Sequence, residues 1–516
     1  MKKIFLFPFV IALLLSTGGC DKDFEEINKN PILPDKLDPI YLFSSAQQAS
    51  AVPTYHYQGA IVQQVITPYG GVVEGGNRNT VIEANANATF NTLYTGPIRN
   101  LTVVIDSLKN DPAKSNLYNM ARIWRAYCYQ ILVDTYGDVP YSEAGKGFLE
   151  STYLPKYDDQ KAIYEDIINE YQQATEALDA AKDIVKGDLF YGGNIDKWKK
   201  LGNSLLLRTG MRYSKIDDAK AKAIVAKAVD LARGGVMTSN DDNTVIIFNE
   251  TFTNGTSSGL LSTERGNYYI GKPFIDFLKS TNDTRLQYIA VKYENPGNPL
   301  ATAGAADTIA ANQEGMPYGY DESSIATAPG FPGKIGTAFK YSQFNRSTVF
   351  RIDAPEFMVT YAQTQLLLAE AIVRGYITGD AKTFYEEGIK GHMTQKPLYG
   401  ETLNITSAQQ DAYLLQSEVA FDPARALEQI NEQYWIASFR NWAEAWANFR
   451  RSGYPQLSPI NFPGEDPSVD AGDAGGFIHR LTYPLREKSV NTANVNEAIS
   501  RIGADNLGTR IFWDKP

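Results

Sequence analysis

The chain reads ARIWRAYCYQILVDTYGDVPYSEA from residue 121 to residue 144, and this stretch decides the fold class. Apolar residues recur at steps of three and four from Leu117 to Leu132, and most positions between them are polar. This spacing is typical of an α-helix that buries one face. Gly137 and Pro140 follow, and both residue types end helices. The pattern therefore predicts a helix over 117–134 that packs against a core.

The same periodicity predicts further helices on both sides of this stretch. Their ranges are 37–66, 90–109, 159–182, 196–213, 217–233, 355–374, 380–392, 407–419 and 423–451. Pro355 and Pro423 fit the first turns of their helices, where the missing N–H costs nothing. Successive helices with short connections favour antiparallel pairs stacked as a tetratricopeptide-like solenoid. The predicted fold class is therefore mainly α, although the 34-residue signature of that repeat is not visible.

Irregular stretches interrupt the helices. Residues 294–348 hold seven glycines and five prolines, but also six aromatic residues, which argue against disorder and favour a functional loop. Residues 68–79, PYGGVVEGGNRN, form another irregular stretch. We predict a single α-helical domain over 39–516, with irregular insertions at about 240–350 and 453–487 that form a ligand-binding part.

The N-terminus carries the features of an export signal. Two lysines precede an apolar run over residues 4–15, and small residues then lead directly to Cys20. A charged start, a short apolar core and small residues before the cut are typical of a secretory signal peptide. Because the small residues end on a cysteine, we predict that 1–19 is removed and that Cys20 carries lipid. Residues 20–38 then form an acidic, Asn-rich tether.

Composition excludes several kinds of partner. The net charge is −10 at pH 7 and there is no Lys/Arg cluster, so no nucleic-acid partner is expected. No later segment approaches the roughly 18 uninterrupted apolar residues of a membrane-spanning helix, so lipid is the only membrane attachment predicted. Cys20 and Cys128 are the two cysteines. With Cys20 acylated no disulfide can form, and Cys128 is predicted to be a buried, inert thiol.

Enzymatic patterns in the sequence are weak. GTSSG at 255–259 matches G-x-S-x-G and would make Ser257 a nucleophile, but the expected strand and helix do not flank it. The three histidines share no metal-binding spacing, DPSVDAGDAGG lacks the EF-hand spacing, and glycine-rich nucleotide motifs are absent. We therefore predict no enzyme activity, no metal and no cofactor. A surface glycosidase or esterase is the alternative, because paired carboxylates are separated in space rather than in sequence.

Several separated motifs resemble the SusD/RagB family of outer-membrane nutrient-binding lipoproteins. In chain order they are DFEEINKNP, the stretch quoted above, PFIDFLKSTNDTRL, EFMVTYAQTQLLLAEAIVRG, EAWANFRRSGYPQL, RLTYPLREKSVNTANVNEAI and GADNLGTRIFWDKP. The resemblance covers nearly all of the mature chain and points to the SusD-like branch of Bacteroidetes. It departs at Phe512, where the family often has a tryptophan, and at Thr17, where lipoprotein signals usually carry an aliphatic residue.

That resemblance implies a tetratricopeptide-like helical fold with an irregular ligand-binding part. It also implies a protein on the outer face of the outer membrane that captures an oligosaccharide, or in some members a peptide. Such proteins act as a lid over a SusC-like TonB-dependent transporter and release the ligand into it. Acids just after the lipidated cysteine serve as a surface-export signal in these lipoproteins, and Asp21, Asp23, Glu25 and Glu26 fit that role.

Ligand residues are predicted from loop position and residue type. Aromatic rings stack on sugar faces, and polar side chains on the same loops bond sugar hydroxyls. We therefore predict ligand contacts by the following side chains: Tyr318, Tyr320, Tyr341, Tyr69, Asn77 and Arg78. The polar residues around Asp134 and Asp138 are instead predicted to form a helix end and a turn.

Overall fold

The computed structural model describes residues 37–51, 56–71, 73–297, 306–400, 402–470 and 476–516. The predicted signal peptide at 1–19, the predicted lipid attachment at Cys20 and the tether as far as residue 36 lie outside these described residues. The fold described below is that of the predicted domain that follows them.

Helices make up most of the secondary structure. In chain order they are α1 (Pro39–Ala49), α2 (His56–Ile61), α3 (Glu74–Arg78), α4 (Glu83–Leu93), α5 (Arg99–Leu108), α6 (Ser115–Tyr136), α7 (Gly147–Glu150), α8 (Gln160–Ala177), α9 (Ile195–Met211), α10 (Asp218–Ala228), α11 (Gly255–Leu261), α12 (Lys272–Ser280), α13 (Leu286–Ile289), α14 (Tyr361–Val373), α15 (Ala381–Met393), α16 (Lys396–Tyr399), α17 (Ser407–Leu414), α18 (Ala426–Ala437), α19 (Trp442–Ser452), α20 (Pro467–Asp470), α21 (Leu485–Val490) and α22 (Thr492–Ile502). A π-helical turn, Tyr94–Ile98, joins α4 to α5.

The strands are short and form small sheets. They are β1 (Val65–Ile66), β2 (Val139–Pro140), β3 (Tyr157–Asp158), β4 (Thr244–Ile246), β5 (Tyr269–Ile270), β6 (Ala290–Tyr293), β7 (Ala306–Asp307), β8 (Lys334–Ile335), β9 (Ala338–Phe339), β10 (Gln343–Phe344) and β11 (Glu356–Val359). The pairs β1–β5, β2–β3, β4–β11, β6–β7, β6–β10 and β8–β9 are antiparallel.

Successive helices pack side by side, and the predicted mainly-α, tetratricopeptide-like fold is confirmed. Helix α6 packs against α5 and α8, α8 against α9, and α9 against α10. Later in the chain α14 packs against both α15 and α18. The large rings Trp124, Trp198, Trp442, Trp446 and Trp513 are fully buried between these helices. The helices thus form one continuous core.

Polar side chains at the helix starts explain where several helices begin. The Asp159 carboxylate accepts hydrogen bonds from two backbone N–H groups in the first turn of α8. The side-chain oxygen of Asn194 accepts one such bond, from the Lys197 N–H in the first turn of α9. Thr360 and Gln363 form a reciprocal capping box at the start of α14. Such caps satisfy N–H groups that have no partner within the helix.

Helix α6 agrees with its prediction almost residue for residue. It extends the predicted 117–134 range by two residues at each end, and Gly137, with φ +81°, follows it. Cys128 is buried inside α6, and burial raises the pKa of its thiol to about 12. At that value the sulfur is a thiol rather than a reactive thiolate, as predicted.

The predicted helix over 355–374 is partly wrong. Its first residues form strand β11, which pairs with β4 about 110 residues earlier in the chain, and α14 begins only after Thr360. Pro355 therefore precedes a strand rather than opening a helix. Pairing with a distant strand outweighed the local helical pattern.

Three other long predictions divide into separate helices. The predicted 423–451 helix is α18 and α19, the predicted 37–66 helix is α1 and α2, and the predicted 90–109 helix lies across α4, the π-turn and α5. Between α18 and α19, Arg440 adopts φ +70° and donates hydrogen bonds to the Val349 carbonyl and to Glu356. These long-range contacts break the helix at a point where the local sequence remains helical.

Buried ion pairs join helix ends that are distant in sequence. The Arg212 guanidinium, at the end of α9, lies 2.7 Å from the Glu444 carboxylate on α19 and 3.4 Å from the Asp134 carboxylate on α6. The indole N–H of Trp513 donates to that same Asp134 carboxylate. One cation thus links α6, α9, α19 and the C-terminal segment. The prediction that Asp134 serves the helix end is consistent with this use.

A second buried pair links α14 with α19. Both terminal nitrogens of Arg451 bind Glu370, at 2.7 and 2.6 Å, and Arg374 binds the same carboxylate at 2.8 Å. Burial opposes ionisation, but Arg451 and Arg374 outweigh it and lower the pKa of Glu370 to about 2. The carboxylate is therefore charged at neutral pH.

Removing this carboxylate is expected to destabilise the fold strongly. Glu370→Gln leaves Arg451 buried beside a neutral partner, and breaking such a buried pair costs about 3–5 kcal/mol. Urea denaturation followed by circular dichroism measures the loss. The control is Asp276→Asn, which breaks an exposed pair with Lys272 and should cost under about 1 kcal/mol. Equal losses in the two variants would contradict the structural role assigned to Glu370.

The stabilisation by Glu370 should disappear in acid. Its folded pKa lies below the ordinary value of 4.5, so the stabilisation is complete above that value and is lost as pH falls towards 2. Between about pH 5 and about pH 3 the advantage of the natural chain over Glu370→Gln should shrink by about 2 kcal/mol. Denaturation series at both pH values test this, and a constant difference would refute it.

Candidate ligand-binding site

The irregular segments singled out in the sequence meet at one place. A hydrophobic cluster separate from the main core gathers aromatic rings from 68–79, from 294–348 and from strand β5. We call it the aromatic cluster, and its rings are Tyr69, Tyr269, Tyr318, Tyr320, Phe331, Phe339 and Tyr341. The structure therefore brings together all four tyrosines predicted as ligand residues.

Close backbone approach holds the cluster together. Strand β1 pairs with β5, and a backbone bridge then connects Gly271 with Met316. A Cβ atom on Gly271 would lie 2.3 Å from the Gln63 carbonyl oxygen and 2.9 Å from the Tyr318 ring. Only glycine permits these segments to approach so closely.

Buried rings form the floor of the cluster. Tyr269 and Phe339 are buried, and the Phe339 N–H donates to the Tyr269 hydroxyl over 2.9 Å. That hydroxyl in turn donates to the Gly266 carbonyl over 2.7 Å. The rings of Tyr69 and Phe331 each have their centroids about 6 Å from that of Phe339. The floor is thus fixed by hydrogen bonds and covered by aromatic contacts.

Four rings of the cluster remain partly exposed: Tyr69, Tyr318, Tyr320 and Phe331. The Tyr69 hydroxyl donates to the Thr337 carbonyl over 2.6 Å, and the Tyr318 hydroxyl donates to the Val65 carbonyl over 2.6 Å. Burial, together with the Glu322 carboxylate, raises the pKa of Tyr69 to about 12. These hydroxyls stay protonated and hold the rings in place, which leaves the ring faces as the accessible surface.

Tyr341 lies deeper than the other predicted tyrosines. Its side chain is 3% exposed, and its hydroxyl has no hydrogen-bond partner among the described residues. Burial, with Glu314 and Tyr320, raises the pKa of Tyr341 to about 12. A buried hydroxyl without a partner is uncommon, because it has lost its bonds to water. In the present conformation the Tyr341 ring packs beneath the partly exposed rings of the cluster and does not itself form accessible surface.

Asn77 and Arg78 are buried and point into the protein. The Asn77 amide donates to the Thr67 carbonyl over 3.1 Å. Arg78 donates to the Pro68 carbonyl over 2.6 Å and pairs with Glu74 at 2.5 Å. Both side chains therefore hold the 67–79 loop that carries Tyr69, and neither reaches solvent in this conformation.

A further segment, around Asn461 and Phe462, borders the cluster, and it was not among the predicted ligand residues. Gly319, with φ +87°, lies so close to residue 461 that a Cβ on it would be 3.0 Å from the Asn461 carbonyl oxygen. The next residue, Phe462, is partly exposed, and the Arg78 guanidinium sits 5.0 Å above its ring centre. An aromatic residue in the predicted 453–487 insertion was the available signal, and that range also holds Tyr454, Phe477 and Tyr483. The edge of the site thus includes Asn461 and Phe462.

The sequence motifs that suggested a nucleophile or a metal site lack the geometry of a catalytic site in the described part of the chain. Ser257 lies in the short helix α11, is 0% exposed, and its hydroxyl has no partner among the described residues, so no base is placed to activate it. Within the described part of the chain, no group of three or more His, Cys, Asp or Glu side chains could hold a metal ion. No helix in that part is long and apolar enough to cross a membrane.

A cavity of about 800 Å³ lies far from these segments in the fold, between α10 and the junction of α14 with α15. Its lining is mainly apolar and includes Val229, Leu368, Tyr376 and Phe384. It contains none of the predicted ligand residues. Volume alone would favour this cavity, whereas the clustered aromatic residues favour the site described above.

Comparison with known proteins now identifies the class of protein. Residues 31–484 match the SusD-like family model described as starch-binding and associating with the outer membrane. The chain therefore belongs to the SusD-like family. The resemblance noted in the sequence motifs is confirmed. Among proteins with curated descriptions, none matches this chain.

Solved structures agree with this assignment. A chitin-binding protein shares 31% sequence identity, with 93% of this chain and 100% of that chain covered and a TM-score of 0.78. A SusD-like protein from Bacteroidetes AC2a shares 27% identity over the same shares of the two chains, with a TM-score of 0.79. A chitin-binding SusD homologue from Flavobacterium johnsoniae, at 22% identity, covers 93% of this chain and 96% of its own, with a TM-score of 0.71, and has the same fold.

Two tyrosine-to-phenylalanine variants test the geometry of the cluster. Tyr318→Phe removes the hydroxyl bonded to the Val65 carbonyl and should lower the free energy of unfolding by about 1 kcal/mol. Tyr341→Phe removes a buried hydroxyl that has no partner among the described residues, and should be neutral or stabilising by up to about 1 kcal/mol. Urea denaturation compares them. A larger loss in Tyr341→Phe than in Tyr318→Phe would show that the hydrogen bonding described here is wrong.

Proposed function

We propose that this chain is a cell-surface lipoprotein that binds a glycan and delivers it to a SusC-like TonB-dependent transporter. The observation that carries the proposal is the aromatic cluster, in which partly exposed rings from separate irregular segments lie side by side. Its occurrence in a member of a family described as starch-binding supports a glycan as the ligand. The protein captures its ligand and performs no chemistry on it.

The chemistry of the cluster suits a sugar. The C–H faces of a sugar ring stack on aromatic faces, and its hydroxyls need separate hydrogen-bonding groups. Tyr69, Tyr318 and Phe331 supply ring faces. The Tyr320 hydroxyl has no hydrogen-bond partner among the described residues, and the exposed Asn461 lies beside Gly319. In this proposal these two side chains bond sugar hydroxyls.

Asn77, Arg78 and Tyr341 act as positioning residues in this proposal. Each is buried, and the first two bind backbone carbonyls of the 67–79 loop. They set the position of Tyr69 and of the neighbouring rings, and a ligand would not touch them without movement of the loop. Substituting them should therefore affect stability together with affinity.

The sequence and the family description support the proposed localisation, and delivery to a transporter is proposed from the family resemblance. Lipidation at Cys20 attaches the chain to the outer membrane, and Asp21, Asp23, Glu25 and Glu26 direct it to the outer surface. The family is described as associating with that membrane. Delivery to a transporter is tested by co-purification of the two proteins from membranes under mild detergent.

The identity of the ligand is tested with a binding panel. The relative described as chitin-binding makes chitin oligosaccharides the first choice, with starch oligosaccharides and peptides beside them. Saturable binding without new reducing ends supports capture. Glycan turnover would instead favour the surface-hydrolase alternative, and binding of peptides alone would replace the glycan by a peptide.

Ring truncation should weaken ligand binding. Tyr320→Ala and Phe331→Ala each remove a partly exposed ring of the cluster, and each should raise the dissociation constant about tenfold in isothermal titration calorimetry. Tyr153→Ala is the matched control, because Tyr153 is an exposed tyrosine outside the cluster and should leave affinity unchanged. Unchanged affinity in both cluster variants, with an intact fold, would remove the cluster as the binding site.

A further inference from the structure

A groove opens where the described chain begins. It has a volume of about 370 Å³ and lies between the start of α1, the start of α6 and the 183–187 segment. Ile40, Leu117 and Val185 contribute apolar groups to a lining that is nearly as polar as it is apolar. We call it the N-terminal groove.

Exposed apolar side chains surround the N-terminal groove. Ile184 is 72% exposed and Tyr41 is 65% exposed, and both line the groove. Leu37, immediately before the groove residue Asp38, is 51% exposed. Single exposed apolar residues are ordinary on a protein surface, but three beside one groove indicate a surface that binds a partner or ligand.

Lysine side chains stand at the edge of the groove without ion-pair partners. Lys114 and Lys186 are exposed, and neither ammonium group has a hydrogen bond or an ion pair among the described residues. The groove acids, by contrast, are engaged with backbone. Asp183 accepts from the N–H groups of residues 116 and 117 at the start of α6, and Asp38 accepts from the Ile40 N–H. Both lysines are thus free of partners in that part of the chain, whereas the exposed Asp38 and the partly buried Asp183 are held by backbone N–H groups.

The position of the groove in the chain indicates its occupant. Sixteen residues separate Cys20 from Leu37, a length that spans at most about 60 Å, so the groove lies beside the point at which the lipid tether joins the domain. A groove that combines apolar groups, exposed apolar neighbours and unpaired ammonium groups matches a lipid, which combines acyl chains with a charged headgroup. A second, surface-based contact of this kind strengthens attachment by acyl chains.

We propose that the N-terminal groove binds anionic lipid of the membrane to which the chain is anchored, with the acyl part against Ile40, Leu117 and Val185 and the headgroup against Lys114 and Lys186. This inference rests on the lipid anchoring in the proposed function. The contact turns a defined face of the domain, the one that includes the start of α1, towards the membrane.

Vesicle flotation tests the proposal. The mature chain carrying Cys20→Ser, which cannot be acylated, is mixed with vesicles of phosphatidylglycerol and phosphatidylcholine, or of phosphatidylcholine alone. We expect binding to the anionic vesicles and a loss of about fivefold in the partition constant for each lysine removed, or about 25-fold for Lys114→Gln with Lys186→Gln. Ile184→Ser should reduce binding further.

Matched variants decide the outcome. Lys161→Gln with Lys222→Gln removes the same charge from exposed lysines elsewhere on the surface and should leave vesicle binding unchanged. No binding to anionic vesicles, or equal losses in the groove pair and the control pair, would overturn the proposal. Light scattering supplies a second test of the proposal. A dimer that is lost in Ile184→Ser would also overturn the proposal, because the groove would then bind a second copy of the chain.

The proposed function is tested separately on the same proteins. Glycan affinity is measured by calorimetry without vesicles, so failure of the aromatic cluster as a glycan site does not affect the flotation result. Unchanged glycan affinity in the Lys114→Gln, Lys186→Gln variant, together with lost flotation, supports the lipid groove, because it shows that the domain remains folded.

Discussion

The fold depends on charged groups buried between helix ends. Arg212 meets Glu444 and Asp134, and Arg451 meets Glu370, at positions where water is excluded. Isolated charges at such depth would be very costly, so each must find its partner when the helices pack. The partners come from α6, α9, α14 and α19, which are far apart in the sequence. Asp134, Glu370, Glu444 and Arg451 lie in motifs that resemble the family, so those motifs serve the helical body, whereas Arg212 lies outside them.

The helical body and the aromatic cluster have separate hydrophobic interiors. The cluster forms its own core of rings from the irregular segments, fastened to the body through β1, β5 and Gly271. A ring in the cluster can therefore be exchanged without disturbing the packing between α6, α8 and α9. Such an arrangement lets one fold carry different ligand sites on its irregular segments. The N-terminal groove belongs to the helical body, so lipid contact and ligand contact use different parts of the molecule.

Sequence periodicity predicted the helices well where the pattern is local. Helix α6 matched to within two residues at each end, whereas the 355–374 and 423–451 predictions failed because β4 and the Arg440 contacts act from far along the chain. The T-x-x-Q spacing of Thr360 and Gln363 was the local signal for the true start of α14. For the site, residue type singled out four tyrosines that the fold brings together. Residue type could not predict that Asn77 and Arg78 turn inward, because hydrogen bonds to carbonyl groups of their own loop fix those side chains. It also could not predict that Phe462 approaches Arg78 from another segment.

We propose that the partly exposed rings of the aromatic cluster form the surface that binds the nutrient. The most direct measurement is a crystal structure of the protein with the oligosaccharide that binds most tightly in the panel. We expect a sugar ring stacked against at least two of Tyr69, Tyr318, Tyr320 and Phe331, with Tyr320 or Asn461 bonded to its hydroxyls. A ligand seated instead in the cavity between α10 and α14, with the cluster unoccupied, would contradict it.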